Sequence, residues 1–320
     1  MKNSDWRPTA SIEILQARAH MFARIRAFFA NRNILEVETP VISLAENSDP
    51  NVNCFSVDTE SDRRFLHTSP EYAMKRLLAA GSGDIFQITK VFRKGEVGRF
   101  HNPEFALLEW YRTDWHYLQL MDEVNALLSY VLNNSAAAQH SLRLSYRQVF
   151  QQLAGVDPFE DTQSELTACA RKFGLSLEHR LGRDECLDFL MSQVVSRVFP
   201  TNRLTYVFDY PSSQAALAAI RKDIPPVAER FEVFWGNLEL ANGYQELTDA
   251  KEQRDRFAHE QQQRRRHGIS ETAYDNRLIS ALNHGLPRCS GVALGLDRLL
   301  MIMTGTRHIR EVLTFPWDRA

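Results

Sequence analysis

Four cation-bearing residues sit in one short loop: Arg93, Lys94, Arg99 and His101, between an apolar run ending at Phe92 and another spanning Phe105 to Tyr111. Two apolar runs around a polar, glycine-containing loop predict a β-hairpin. Its loop offers cations to an anion. On the return strand, alternation places Phe105, Leu107, Glu109 and Tyr111 on one face. A carboxylate among aromatics is costly unless a cation meets it. A second hairpin is predicted around Gly236-Asn237, a good two-residue turn. Pairing about it sets Trp235 opposite Leu238 and Phe234 opposite Glu239, with Glu232 on Glu239's face one diagonal step away. Two acids so placed repel unless a cation lies between them, and oxygen-only ligands suit Mg²⁺. The plainer reading is two solvated acids on an open sheet face. An anion grip, an aromatic platform and isolated acids fit ATP together with a cationic small molecule.

Three segments must position these groups. Ser11 to Arg32 reads as an amphipathic helix, with Ile14, Met21, Ile25 and Phe28 on one stripe and Asn31 and Asn33 suited to its end. Ile34 to Thr39 then reads as a strand stopped by Pro40. Near the other end, Gly291-Val292-Ala293-Leu294-Gly295-Leu296-Asp297-Arg298-Leu299 reads as a strand running into a helix. Gly295 allows close backbone approach. Arg298 falls in the first helical turn, where free N–H groups and the helix dipole favour phosphate. The helix with its strand and proline, the Arg93 hairpin and the Gly291–Leu299 run, in that order, resemble the three signature motifs of class II aminoacyl-tRNA synthetases. His101-Asn102-Pro103-Glu104-Phe105 is similar to the lysyl, aspartyl and asparaginyl branch, and nearest the lysyl enzymes. The chain from Ala10 to Ala320 further resembles the elongation factor P–(R)-β-lysine ligases, a family of lysyl-synthetase paralogues.

The resemblance implies an α+β fold: a mainly antiparallel sheet of about six to eight strands flanked by helices. It implies one catalytic domain over residues 1–320, with a helical insertion over about 133–203 and no anticodon-binding OB-fold. It also implies a homodimer through the Ser11–Arg32 helix and the Leu35–Pro40 strand. Residue by residue, Arg93 would hold the α-phosphate and the substrate carboxylate. Phe105 would stack on adenine, with Arg298 on its other side reaching the γ-phosphate. Lys94, His101 and Asn102 would support the nucleotide, and the backbone at Leu240 and Gly295 would line its pocket. Glu232 and Glu239 would hold Mg²⁺. Ser69-Pro70-Glu71 would receive the reacting end of the amino acid, with Glu71 facing its ammonium. Glu109, Tyr111 and Glu246 would receive the distal ammonium, with Asn242 beside them. Strict alternation puts Glu246 on the face opposite Glu239, so the implied role requires a bulge, expected at Asn242-Gly243.

The implied activity is ATP-dependent activation of (R)-β-lysine and its transfer to a lysine side chain of elongation factor P. Such chemistry needs positioning and charge stabilisation rather than a side-chain nucleophile. The family pattern Arg-x-Glu becomes Arg93-Lys94-Gly95-Glu96 here, so the adenine-reading acid is displaced; Gly95 offers backbone only, or Glu96 swings in. A glycine of the lysyl pattern is replaced by Ala293, whose methyl is expected to disfavour α-lysine. Two other readings stay open: a ligase of the same chemistry with α-lysine or another amino acid and a different acceptor, and a non-enzymatic regulator built on the fold.

Composition agrees. A chain of 320 residues with net charge −2 supports a large core and no bulk attraction to nucleic acid. No apolar run is long enough to span a membrane. Cys54, Cys169, Cys186 and Cys289 are scattered without zinc spacing and read as reduced thiols of a cytoplasmic protein. Arg254 to Gly268 reads as a solvated helix face ending in glycine, with an RNA or protein contact as the lesser reading.

Overall fold

In the computed structural model, which describes residues 6–133, 140–176, 181–266, 268–269 and 274–320, helix α1 (Ile12–Ala30) starts at Ser11. The Ser11 hydroxyl accepts from Ile14 N, and the helix buries Met21, Ile25, Phe28 and Phe29. Asn33 ends the segment with φ +56°, a left-handed conformation that asparagine tolerates. The expected Leu35–Pro40 strand contracts to β1 (Leu35–Glu36), although Val37 N still donates to Phe86 O at 2.9 Å. Strands β2 (Ile42–Ser43), β3 (Ser56–Asp58) and β4 (Arg63–Leu66) form a small separate sheet in the order β2-β4-β3. Helix α2 (Glu71–Ala79) follows, and then the expected hairpin of β5 (Ile85–Phe92) and β6 (Glu104–Thr113). Its register runs from Ile85 opposite Tyr111 to Phe92 opposite Glu104.

The next stretch holds α3 (Tyr117–Val131), β7 (Leu142–Ser145), α4 (Tyr146–Leu153), α5 (Gln163–Lys172) and α6 (Arg183–Leu190). Strands β8 (Leu204–Pro211), β9 (Ile220–Arg221), β10 (Val227–Trp235) and β11 (Leu238–Gln245) complete it. The region read as a helical insertion is mostly helical, with one correction. It contributes β7, which pairs parallel to β8 through Leu142–Ser145. Its residues 134–139 and 177–180 lie outside the described residues. The helices close over their own core, including Tyr146, Phe150, Leu166, Leu187 and Phe199, against Val207, Tyr210 and Phe234. The chain ends with α7 (Ala250–Arg266), α8 (Asn276–Gly285), β12 (Cys289–Gly295) and α9 (Leu296–Thr304).

Two compact units result. One comprises Met1–Asp114, Thr248–Cys289 and Ala293–Ala320, the other Trp115–Leu247 and Ser290–Val292. Among the described residues nine strands enter the large mixed sheet, more than the six to eight expected, because β7 and the two-residue β9 carry no clear strand signal in the sequence. Within the first unit β1 lies parallel and β6 antiparallel to β5. Within the second, β10 lies antiparallel to β8, β9 and β11.

Helix α7 corrects the expectation of a solvated face. Gln253, Phe257, Gln261 and Arg264 are buried. Arg264 meets Glu46 at 3.3 Å, and the Ser48 hydroxyl donates to Glu260. The polar sequence hid a stripe that buries its charges in pairs, as buried charges must be. Past the helix, Gly268 takes φ +70°; His267 lies outside the described residues.

Candidate active site

The first unit gathers most of the expected groups around the β5–β6 hairpin. Arg93 extends from the end of β5, with its guanidinium carbon 5.1 Å from the Phe105 ring centroid. Its Nε donates to Thr68 O at 3.5 Å. Gly95 turns the loop with φ +86°, with open space where a side chain would stand. Glu96, the displaced acid, lies 3.7 Å from Arg93, so it swings toward the arginine that the motif requires. Arg298 Nη2 donates to His101 Nε2 at 2.8 Å. Arginine only donates, so His101 Nε2 is the acceptor in this contact. Gly295 precedes α9 with no side-chain cap, which leaves first-turn N–H groups for an anion. Asn102 is fully engaged within the chain: its amide donates to Glu104 O and its oxygen accepts from Trp317 N. It shapes the loop that carries His101.

The acids of this unit are pre-organised. Glu109 is 2 % exposed. It accepts from Ser69 Oγ and from Tyr111 OH, each at 2.7 Å. Ser69 Oγ accepts in turn from Glu71 N at 3.0 Å. Ser69, Glu109 and Tyr111 are thus one hydrogen-bonded unit reaching from the start of α2 to the end of β6. Glu71 accepts from the buried Lys75 at 2.6 Å. Pro70 starts α2 and lines, with Ser69 and Glu71, a cavity of about 450 Å³. Ala293 and Gly295, half-buried, share one face of β12 while Val292 and Leu294 are buried on the other.

The second unit carries the remaining acids. Gly236-Asn237 forms the turn, with Trp235 opposite Leu238 and Phe234 opposite Glu239. The register then shifts: Val233 faces Ala241 and Glu232 faces Asn242, so Leu240 is the extra residue. The bulge lies at Leu240, not at Asn242-Gly243. One inserted residue reverses the alternation beyond it. Asn242, Tyr244 and Glu246 thereby share a face with Glu239 and Glu232. Gly243 is obligatory where it stands: a Cβ would lie 2.4 Å from the Phe231 ring and 2.9 Å from Val292 Cβ. Glu246 is 3 % exposed. Burial pushes Glu232 up to about 7, with Arg230 lowering it and Glu239 raising it.

Glu232 already has a cation, because Arg230 Nη2 bonds it. The sequence carried this signal, since a residue two earlier on a strand shares its face. As a cation site the set is two carboxylates plus Asn242 Oδ1, a buried oxygen with no hydrogen-bond partner among the described residues. All-oxygen donors of this kind fit Mg²⁺, which takes one or two carboxylates and completes its shell with water and phosphate.

Two further residues went unread in the sequence. Lys75 follows Glu71 at i+4, a spacing that pairs side chains on a helix. Asp297, 1 % exposed, accepts from Arg18 Nη2 and from Ala106 N. It ties α1, β6 and α9 together, so all three signature segments converge on one carboxylate.

The family model for class II tRNA synthetases (D, K and N) matches residues 2–319. The chain belongs to that family. Among curated relatives, the elongation factor P–(R)-β-lysine ligase of Haemophilus ducreyi is 45% identical over 99% of this chain and 97% of its own length. That of Vibrio parahaemolyticus is 46% identical over 99% of both, and that of Vibrio cholerae 45% identical over all of both. The α+β fold expected from the motifs is therefore the fold of its family, and its relatives are ligases. Among the described residues no helix is long and apolar enough to cross a membrane.

Proposed function

We propose that this chain is an ATP-dependent ligase that activates (R)-β-lysine as its adenylate and transfers it to a lysine side chain of elongation factor P. The observation that carries the reading is the hydrogen-bonded set of Ser69, Glu109 and Tyr111, an acid held ready beside the Arg93 grip. It is supported by relatives of that name across the full chain.

In this reading Arg93 and Arg298 act on the phosphates, Lys94, Gly95, Glu96, His101 and Asn102 shape the loop over the nucleotide, and Phe105 stacks on adenine. Leu240 and Gly295 contribute backbone. Glu232 and Glu239 hold Mg²⁺, which supplies charge to the phosphates when bound. Ser69, Pro70 and Glu71 take the reacting end of the substrate; Glu109, Tyr111, Asn242 and Glu246 take the distal ammonium; Ala293 limits the space for an α-amino acid. The substrate carboxylate attacks the α-phosphorus and pyrophosphate leaves. Arg93 neutralises charge as it shifts, the kind of electrostatic assistance such displacements depend on.

The chain works in this reading as one class II catalytic domain, with residues 133–203 as its insertion, in the cytoplasm and as a homodimer. Ile12, Leu35, Ile42 and Leu44 remain exposed on a single copy, apolar surface suited to a partner. ATP–pyrophosphate exchange with a panel of lysine isomers, followed by mass analysis of elongation factor P, tests the function. Exchange with (R)-β-lysine and addition of one β-lysyl group are expected. Exchange with another amino acid alone overturns the substrate, and no exchange with any overturns the enzyme.

A further inference from the structure

Transfer requires a proton acceptor, because the attacking amine nitrogen becomes cationic as it bonds carbon. An unperturbed lysine has pKa about 10.4, and a nearby neutral base eases the step. The cavity of about 450 Å³ in the first unit is lined by His67 along with Ser69 and Glu71. His67 Nε2 lies 2.7 Å from Lys90 O. A carbonyl only accepts, so Nε2 carries the ring proton and Nδ1 is left as a lone-pair acceptor. Nδ1 makes no hydrogen bond among the described residues. The backbone on either side of Thr68 runs beside the phosphate grip. His67 O accepts from Phe92 N at 3.0 Å, and the next carbonyl, of Thr68, accepts from Arg93 Nε. Ser69 and Glu71 follow at once.

We infer that His67 Nδ1 accepts the proton of the attacking amine in the transfer step, which rests on the ligase reading above. The amine lone pair forms the C–N bond to the adenylate carbonyl carbon. The C–O bond to phosphate breaks and AMP leaves with its electron pair. The proton passes from nitrogen to Nδ1, and the imidazolium later releases it to the cavity's water. Burial holds the His67 pKa below its ordinary value, so the ring is neutral at pH 7. The other titratable groups on the cavity are Arg64 of β4, Glu71, Tyr72 and Arg76 of α2, Tyr274, Asp275 and Arg277 at α8, and the Cys54 thiol; Lys90 neighbours the ring through its backbone. The other acids are engaged: Glu71 is bonded by Lys75, Asp275 Oδ1 accepts from Arg277 N and Leu278 N, and burial pushes Cys54 up to about 11, which keeps it a thiol.

The test uses His67→Gln, whose amide nitrogen can keep the bond to Lys90 O while Nδ1 is lost, and His67→Asn, which loses that bond. Exchange with (R)-β-lysine and single-turnover transfer from preformed adenylate are measured on the same samples, with elongation factor P and with n-butylamine as acceptors. In His67→Gln, transfer to both acceptors is expected to fall about 100-fold more than exchange, and the acidic limb of its pH profile to vanish. Equal loss of exchange and transfer in both variants would assign His67 a structural role. Wild-type transfer with an intact acidic limb in His67→Gln overturns the inference outright. If the native chain acylates butylamine but not elongation factor P, the acceptor reading fails, and the butylamine comparison still decides the role of His67.

Discussion

Asp297→Asn should be the most damaging isosteric change in the first unit. Asp297 Oδ1 accepts from Arg18 Nη2 and Oδ2 from Ala106 N, and the residue is 1 % exposed. An amide has one oxygen. Whichever way the introduced amide turns, its NH₂ faces a donor: the guanidinium in one orientation, the Ala106 N–H in the other. Losing the bond to Arg18 costs about 1.5–3 kcal/mol, and stranding a buried donor about 1–3. Removing one partner of a buried ion pair costs about 3–5 kcal/mol by itself, so the two routes agree on about 3–5. For a cooperative unit of about 150–250 residues each kcal/mol lowers Tm by about 2–4 °C, which predicts a fall of roughly 6–20 °C in calorimetry. Adding Arg18→Met removes the stranded cation, so the double variant should recover part of the loss and the cycle should be non-additive. An Asp297→Asn midpoint within about 1 °C of the native chain, or strict additivity in the cycle, would refute the claim that this carboxylate clamps α1, β6 and α9.

Four further outcomes are expected. Gly243→Ala should destabilise the fold by about 1–3 kcal/mol, as overpacking does, read as a lower urea midpoint at unchanged slope, since its Cβ would press on the Phe231 ring; an unchanged midpoint means the ring moves freely. Arg298→Ala removes a charge-assisted phosphate contact worth about 1.5–3 kcal/mol, so exchange should fall at least tenfold. Because Glu232 sits at about 7, raised by burial and by Glu239, the Mg²⁺ concentration needed for half-maximal exchange should climb as pH falls below 7. By linkage, a carboxyl raised on folding favours the native state at low pH, and that contribution is lost as pH rises from its unfolded value through 7; Glu239→Gln, which removes one raising charge, should shift both effects to lower pH and weaken Mg²⁺ dependence. Ala293→Gly should raise α-lysine exchange relative to (R)-β-lysine by no more than the about 1–3 kcal/mol one methyl can supply; an unchanged ratio reduces Ala293 to packing.

Much of the site was legible because its groups lie on short-range periodic elements. Glu109 and Tyr111 share a face through the two-residue period of a strand, and the Gly236-Asn237 turn by itself sets Phe234 opposite Glu239. Arg298 was placed by the strand-to-helix switch at Gly295. In each case the information lies within a few residues of the group it positions. Tertiary structure decided the rest. Where the β10–β11 ladder bulges depends on which register packs Phe231 against Gly243, and that choice, one residue at Leu240, sets the face of Glu246. The polar run of α7 reads as solvent-facing until Glu46 and Ser48, distant in sequence, arrive to meet Arg264 and Glu260. Asp297 reads as an ordinary first-turn acid until Arg18 and Ala106 converge on it. Periodicity tells which side chains share a face; only folding brings the partner that stabilises a buried charge, because that partner is recruited from a distant part of the chain.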